Sequence, residues 1–117
     1  MKKNKTISMW VYGTLKRGGT LHPHYMQNAE FKGTETISGE LYKCNWYPIF
    51  FEKGDRIEDI IGERYKIPLE DFIPIRIMEE NAGYKTKILI TNKNNKCHVF
   101  CYTDKSAKKD GVFMTEF

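Results

Sequence analysis

Apolar residues at positions 7–11 end abruptly in a polar stretch punctuated by Gly13, Gly18 and Gly19. A short bounded apolar run of this kind predicts a buried strand that delivers its backbone to a loop. Gly13 there permits close approach of a ligand or a positive φ. Residues 21–29 have helical character, with Pro23 near the start, where its missing N–H is harmless. Residues 38–42 alternate around Leu41, and Tyr47-Pro48-Ile49-Phe50-Phe51 is aromatic and apolar, so both predict strands. After a turn at Gly54-Asp55, the spacing of Ile57, Ile60 and Ile61 with a break at Gly62 predicts a strand centred on 60–67. Asp71 stands where it can cap a short helix from Phe72 to about Glu80, with Pro74 tolerable only in the first turn. Asn81-Ala82-Gly83 is the stop. The β-rich runs 84–91 and 97–103 predict a hairpin turning at 92–95.

Many short strands and one or two helices predict an α+β chain. The expected sheet is small and mostly antiparallel, curved or closed into a β-barrel and flanked by short helices. No repeat, linker or break in composition divides the 117 residues, so 1–117 reads as one domain, with 1–5 and about 105–117 as tails. That length is enough to close one core without disulfides or metal.

Nineteen basic residues against fifteen acidic ones leave a net charge of +4, but they are scattered apart from Lys2-Lys3-Asn4-Lys5. That cluster reads as a solvated tail, and no nucleic-acid partner is expected. No apolar stretch approaches the ~20 residues of a membrane span, and no signal-peptide pattern follows the basic start. Three cysteines without C-x-x-C spacing fit reduced thiols in a cytoplasmic setting. Oligomeric state is not legible.

Several chemistries are disfavoured by spacing. Gly13 and Gly18 match G-x-x-x-x-G, but Gly19 and Thr20 stand where a P-loop needs Lys and Ser/Thr. His22-Pro23-His24 lacks nearby carboxylates or cysteines, and Cys97 and Cys101 share a strand face opposite His98, so no metal site is expected. There is no G-x-S-x-G elbow for a serine nucleophile.

Taken in order, the remaining pieces resemble the γ-glutamylcyclotransferase-like (AIG2-like, or γ-glutamylamine cyclotransferase-like) family. Val11-Tyr12-Gly13-Thr14-Leu15-Lys16-Arg17-Gly18 is similar to the family's opening substrate loop, followed by Gly19 and His22. Gly39-Glu40-Leu41-Tyr42 and then Tyr47-Pro48 are similar to its second strand and Tyr-Pro turn, and Gly62-Glu63-Arg64-Tyr65 to its Gly-Glu-x-Tyr strand. Ile75-Arg76-Ile77-Met78-Glu79 falls where the family carries a Leu-Asp-x-Leu-Glu segment ending in its catalytic glutamate. Tyr84 follows, and Phe100-Cys101-Tyr102 is similar to the closing strand. Arg76 departs from the usual aspartate, and Lys85, Thr86 and Lys87 stand where arginine is usual.

The resemblance implies release of 5-oxoproline from a small γ-glutamyl amine or γ-glutamyl amino acid. The substrate's own α-amine attacks its γ-carbonyl, so neither cofactor nor protein nucleophile is needed, and no membrane partner is implied. Glu79 is the expected general acid/base, and the backbone of Gly13, Thr14 and Leu15 the expected oxyanion site. A glutamate half-buried beside Ile77 and Met78 would have its pKa raised toward the ~6–7 that suits this work. The plainer reading leaves Glu79 and Glu80 as two solvated carboxylates, although carboxylates near a helix C-terminus oppose its dipole. Tyr12, Tyr84 and Tyr102 are expected to line the site, and Tyr47 is a further aromatic there; each also fits an ordinary rim or core position. Arg17 either attracts an anionic substrate or is simply exposed. A second reading stays open: Arg76 and the altered segment after Tyr84 suit a non-catalytic pocket that binds and sequesters a small metabolite.

Overall fold

The computed structural model describes residues 5–117. Its elements are β1 (Thr6–Val11), α1 (His22–Tyr25), β2 (Glu30–Cys44), β3 (Tyr47–Phe51), β4 (Glu58–Pro68), α2 (Leu69–Asn81), β5 (Tyr84–Ile90) and β6 (Lys96–Tyr102), then a 3-10 helix (Lys105–Asp110) and β7 (Val112–Met114). The strands run in the order β3-β2-β4-β1-β6-β5, with β7 beside β2. All pairings are antiparallel except β1 with β6.

The α+β class holds, but the sheet is an open path and not a closed barrel, because β3 and β5 at its ends do not pair. Side chains join these ends instead. The Tyr84 hydroxyl of β5 donates to the Pro48 carbonyl of β3, 2.5 Å away. Lys87 pairs with Glu52, and Phe51 meets Tyr102 edge to face at 6.3 Å. A backbone ladder needs strands ~4.8 Å apart; here a phenol spans the gap in place of one.

β1 is buried on both faces, which is why it reads as a nearly continuous apolar run. Met9 and Val11 pack with Tyr65, Ile67 and Phe100 beneath Phe72 and Ile75 of α2. On the other face Trp10 packs with Ile37, Leu41, Phe50, Ile60 and Val99. β2 begins at Glu30, well before the expected residue 38. Its first half is mostly polar, and its strand state comes from pairing with β4, with a bulge at Gly33 (φ +144°). Beyond Gly39 the strand changes partners, pairing with β3 on one edge and β7 on the other.

Three local expectations are corrected. The helix from residue 21 shrinks to the single turn of α1. α2 starts at Leu69, and Asp71 does not cap it: Pro68 stands at the N-cap without a side-chain bond. The Leu69 N–H donates to the Lys5 carbonyl at 2.8 Å, and the Asp71 carboxylate accepts from Asn28 at 2.9 Å. Pro74 accordingly lies inside the helix and not in its first turn. The segment after residue 104 is no tail. Its 3-10 helix sends Lys108 to the buried Glu40, and β7 adds to β2 at Leu41, Tyr42 and Lys43. Of the expected N-terminal tail, residues 1–4 lie outside the described residues. Cys44, Cys97 and Cys101 are free and buried. Among the described residues no helix is long and apolar enough to cross a membrane.

Candidate active site

β1 runs out of the core at Val11, and the chain folds at once into successive tight turns. Lys16 N–H donates to the Gly13 carbonyl at 2.9 Å, Gly19 to Lys16 at 2.8 Å and Leu21 to Thr14 at 3.0 Å. The His22 ring Nδ1 lies 2.8 Å from the Leu15 carbonyl. Gly13 is required for close approach: a Cβ there would stand 2.2 Å from Pro48 Cγ. The positive φ belongs to Gly18, at +83°. In these turns Thr14 uses its carbonyl, while the N–H groups of Thr14 and Leu15 have no acceptor among the described residues. Two N–H groups left open on a wall favour an anionic oxygen.

That wall belongs to a cavity of about 350 Å³. Of the residues the sequence offered for substrate contact, Tyr12, Gly13, Thr14, Leu15, Tyr84 and Tyr102 line it, with Glu79 and Tyr47, and Arg17 does not. Glu79 arrives there by helical periodicity. Phe72 and Ile75 bury one face of α2, and Glu79 follows on the same side at the end nearest the loop. Met78 shares the cavity wall, but Ile77 is 56% exposed and supplies no apolar cover, contrary to expectation.

Burial alone pushes the Glu79 carboxyl up to about 7. Its neighbour has the opposite environment: Glu80 is exposed, accepting from Arg76 at 3.1 Å and from Thr86 at 3.2 Å. One carboxylate is therefore committed to a surface cation and the other is poised to exchange a proton near neutrality.

Of the four tyrosines lining the cavity, Tyr12 and Tyr84 have their hydroxyls committed. Tyr12 donates to the Phe100 carbonyl at 2.5 Å, and Tyr84 to Pro48. Burial, then the charge of nearby groups including Glu79, raises both phenols, so they stay protonated. Tyr102 stands edge to face with Tyr84 at 5.0 Å. Arg17 is not at the cavity; its backbone N–H and guanidinium engage Glu63, and it stacks over Phe31 at 3.8 Å. The departures from the family pattern also lie elsewhere. Arg76 and Thr86 serve Glu80, Lys87 serves Glu52, and Lys85 is exposed.

Sequence reasoning missed Pro48 and Trp46. Pro48 is the common stop against which both Gly13 and Tyr84 rest. Trp46 lines the cavity from the turn between β2 and β3 while 75% exposed. An indole in a turn that sterics would fill with small polar residues was the available signal. Among the described residues no group of three or more His, Cys, Asp or Glu is placed to hold a metal ion.

A glycine loop and one protonatable carboxylate meeting in an apolar cavity, beside an open mixed sheet, define a class that comparison with known proteins names. The sequence model of "Gamma-glutamyl cyclotransferase, AIG2-like" matches residues 9–116, and the chain belongs to that family. It is 30% identical over 83 residues to a Pyrococcus horikoshii protein named "Putative gamma-glutamylcyclotransferase", covering 71% of this chain and 68% of that one. The crystal structure of that archaeal protein superimposes with a TM-score of 0.73 at 28% identity, over 85% of this chain and 80% of the other. An aig2-like protein of Mus musculus shares the fold with a TM-score of 0.82 at 17% identity, over 96% of this chain and 88% of the other.

Proposed function

We propose that this chain is a γ-glutamyl cyclotransferase that releases 5-oxoproline from a small γ-glutamyl amine or γ-glutamyl amino acid. The observation that carries the reading is Glu79, a carboxylate raised to about 7 by burial, in the same cavity as open loop N–H groups.

The reaction needs three things of the protein. The γ-glutamyl chain must curl so that its α-nitrogen meets its γ-carbon, and an aromatic, close-walled cavity favours such a folded conformer. Ionised Glu79 takes a proton from the α-ammonium, and the freed nitrogen attacks the γ-carbonyl. Negative charge then develops on the carbonyl oxygen, where the N–H groups of Thr14 and Leu15 receive it. Collapse breaks the bond to the leaving amine, which takes its proton from Glu79; the carboxylate so restored accepts the second proton from the ring nitrogen and passes it to the released amine, which departs as its ammonium. The new ring C–N bond replaces the old amide, no water is consumed, and the carboxylate is restored.

The cyclotransferase reading is preferred over a pocket that only sequesters its ligand because Arg76, Lys85, Thr86 and Lys87, which suggested the latter, do not line the cavity. The test is 5-oxoproline release from γ-glutamyl-ε-lysine, γ-glutamyl-α-amino acids and glutathione. Wild type and Glu80→Gln are expected to give product, and Glu79→Gln to fall by about 100-fold or more. Full turnover by Glu79→Gln would falsify the assignment.

A further inference from the structure

The Gly62-Glu63-Arg64-Tyr65 segment of β4 is part of the family pattern, yet none of it lines the cavity. Gly62 is where the Trp10 indole lies against the strand: a Cβ there would stand 2.4 Å from Trp10 Cε2. Glu63 pairs with Val11 across β1 and β4, at the point where β1 gives way to the glycine loop. One carboxylate oxygen, Oε1, accepts both the Arg17 backbone N–H at 2.9 Å and the Tyr65 hydroxyl at 2.8 Å. Tyr65 is 1% exposed. Burial, then its hydrogen bond to Glu63, pushes the phenol up, so it stays protonated and donating.

This carboxylate stands behind the part of the loop that faces the cavity. The bond from the Lys16 N–H to the Gly13 carbonyl closes a four-residue turn with Thr14 and Leu15 at its centre. Those two residues carry the N–H groups left open on the cavity wall. Arg17 supplies the next amide along the chain, and its bond to Glu63 ties the far side of the turn to β4, beside the residue from which the loop departs. The chain from Val11 to Arg17 is thus fixed at both ends. Leu15 packs in the same core cluster as Tyr65, on the same base. Without the carboxylate the Arg17 N–H loses its acceptor, and the loop's other backbone bonds, Gly19 to Lys16 and Leu21 to Thr14, tie it only to its own residues. A misplacement of about 1 Å in such donors is enough to cost about 100-fold in rate.

We propose that Glu63 is a positioning residue of the reaction: by accepting the Arg17 N–H it locks the turn that presents the Thr14 and Leu15 N–H groups to the cavity, while Tyr65 holds the carboxylate in place. This rests on the cyclotransferase reading of that cavity. Turnover of the γ-glutamyl compound that wild type cleaves best is measured for Glu63→Ala, Glu63→Gln, Arg17→Ala and Tyr65→Phe. Hydrogen exchange of the Arg17 amide is followed by NMR in each.

Glu63→Ala is expected to lower kcat by about 10- to 100-fold with KM within about threefold, because the loop N–H groups meet charge that develops only in the transition state. Its Arg17 amide should exchange about tenfold faster. Glu63→Gln keeps an oxygen that accepts both donors and should stay within about threefold of wild type in both readouts. Arg17→Ala keeps the backbone N–H and gives up only an exposed ion pair, so kcat should change by less than about twofold. Tyr65→Phe should lower kcat and speed exchange by about threefold, and it carries the test if the alanine variant does not fold. Full kcat in Glu63→Ala, or a loss confined to KM, overturns the proposal. So does a Gln variant as impaired as Ala, or an Arg17→Ala enzyme that falls as far as Glu63→Ala. If wild type releases no 5-oxoproline from any conjugate, the cyclotransferase reading falls, and exchange of the Arg17 amide alone decides whether Glu63 holds the loop.

Discussion

Gly13 and Pro48 are in contact so close that a Cβ on the glycine would stand 2.2 Å from the proline Cγ. Pro48 has little room to retreat, since its ring is rigid and its carbonyl accepts from Tyr84. The Gly13→Ala change should therefore displace the loop and not the proline. Activity is expected to fall about 100-fold from misplaced loop N–H groups, with the sheet intact. Steady-state kinetics beside circular dichroism checks this; an alanine enzyme with full turnover would refute the role of the contact.

The raised carboxyl of Glu79 links stability to pH in a definite direction. Its folded pKa of about 7 lies above the ordinary 4.5, so between these values the unfolded chain ionises first. Stability should fall as pH rises through that window, then level off, with about 3 kcal/mol lost by pH 8. Glu79→Gln removes the penalty, so the inactive variant should melt roughly 10 °C above wild type at pH 8 and level with it near pH 4.5. Scanning calorimetry at both pH values decides it. A Gln variant no more stable at pH 8 would show that the carboxylate is well solvated.

Activity should follow the same group. Ionised Glu79 is the base, so kcat/KM is expected to climb about tenfold per pH unit below 7 and to flatten above it. A profile flat from pH 5 to 8, recorded with a substrate whose own groups do not titrate there, would remove Glu79 from the proton path.

Tyr84 is expected to matter as a strut more than as a reactant. Tyr84→Phe leaves the Pro48 carbonyl without its donor and should cost about 1–2 kcal/mol of stability. Turnover should drop by less than about tenfold, whereas loss of a proton-transferring group would reduce it by 10²–10⁴. Urea titration and kinetics on the same preparation distinguish the two.

Glu35 is 2% exposed and accepts from Thr91 at 2.6 Å, Arg64 at 2.8 Å and Asn95 at 3.1 Å. Burial opposes its ionisation, but these bonds outweigh burial and hold the carboxyl below its ordinary value. A lowered pKa contributes stability above the ordinary carboxylate range, and that contribution fades as pH falls through the folded value. Arg64→Ala should thus destabilise by about 3 kcal/mol at pH 7, with the gap narrowing below about pH 4. Denaturant melts across that range measure it; a gap independent of pH would mean that Arg64 acts through packing alone.

What the chain determined by itself was local. The apolar run of β1, the Asn81-Ala82-Gly83 stop and the β5–β6 hairpin each follow from residues adjacent in sequence, and the structure keeps them. The ordered motifs placed the loop and Glu79 in one family pattern, and those residues do meet in one cavity. Tertiary structure decided whatever depended on a distant partner. The polar first half of β2 is a strand because β4 pairs with it, and Asp71 abandons the helix cap because Asn28 is within reach. Arg17 turns from the site to Glu63, and the two ends of the open sheet are joined by the Tyr84 hydroxyl on the Pro48 carbonyl. Glu79 and Glu80 differ by nothing in sequence except register on α2. Burial of one and a surface arginine beside the other set them apart, because desolvation and ion pairing are properties of surroundings and not of residue type.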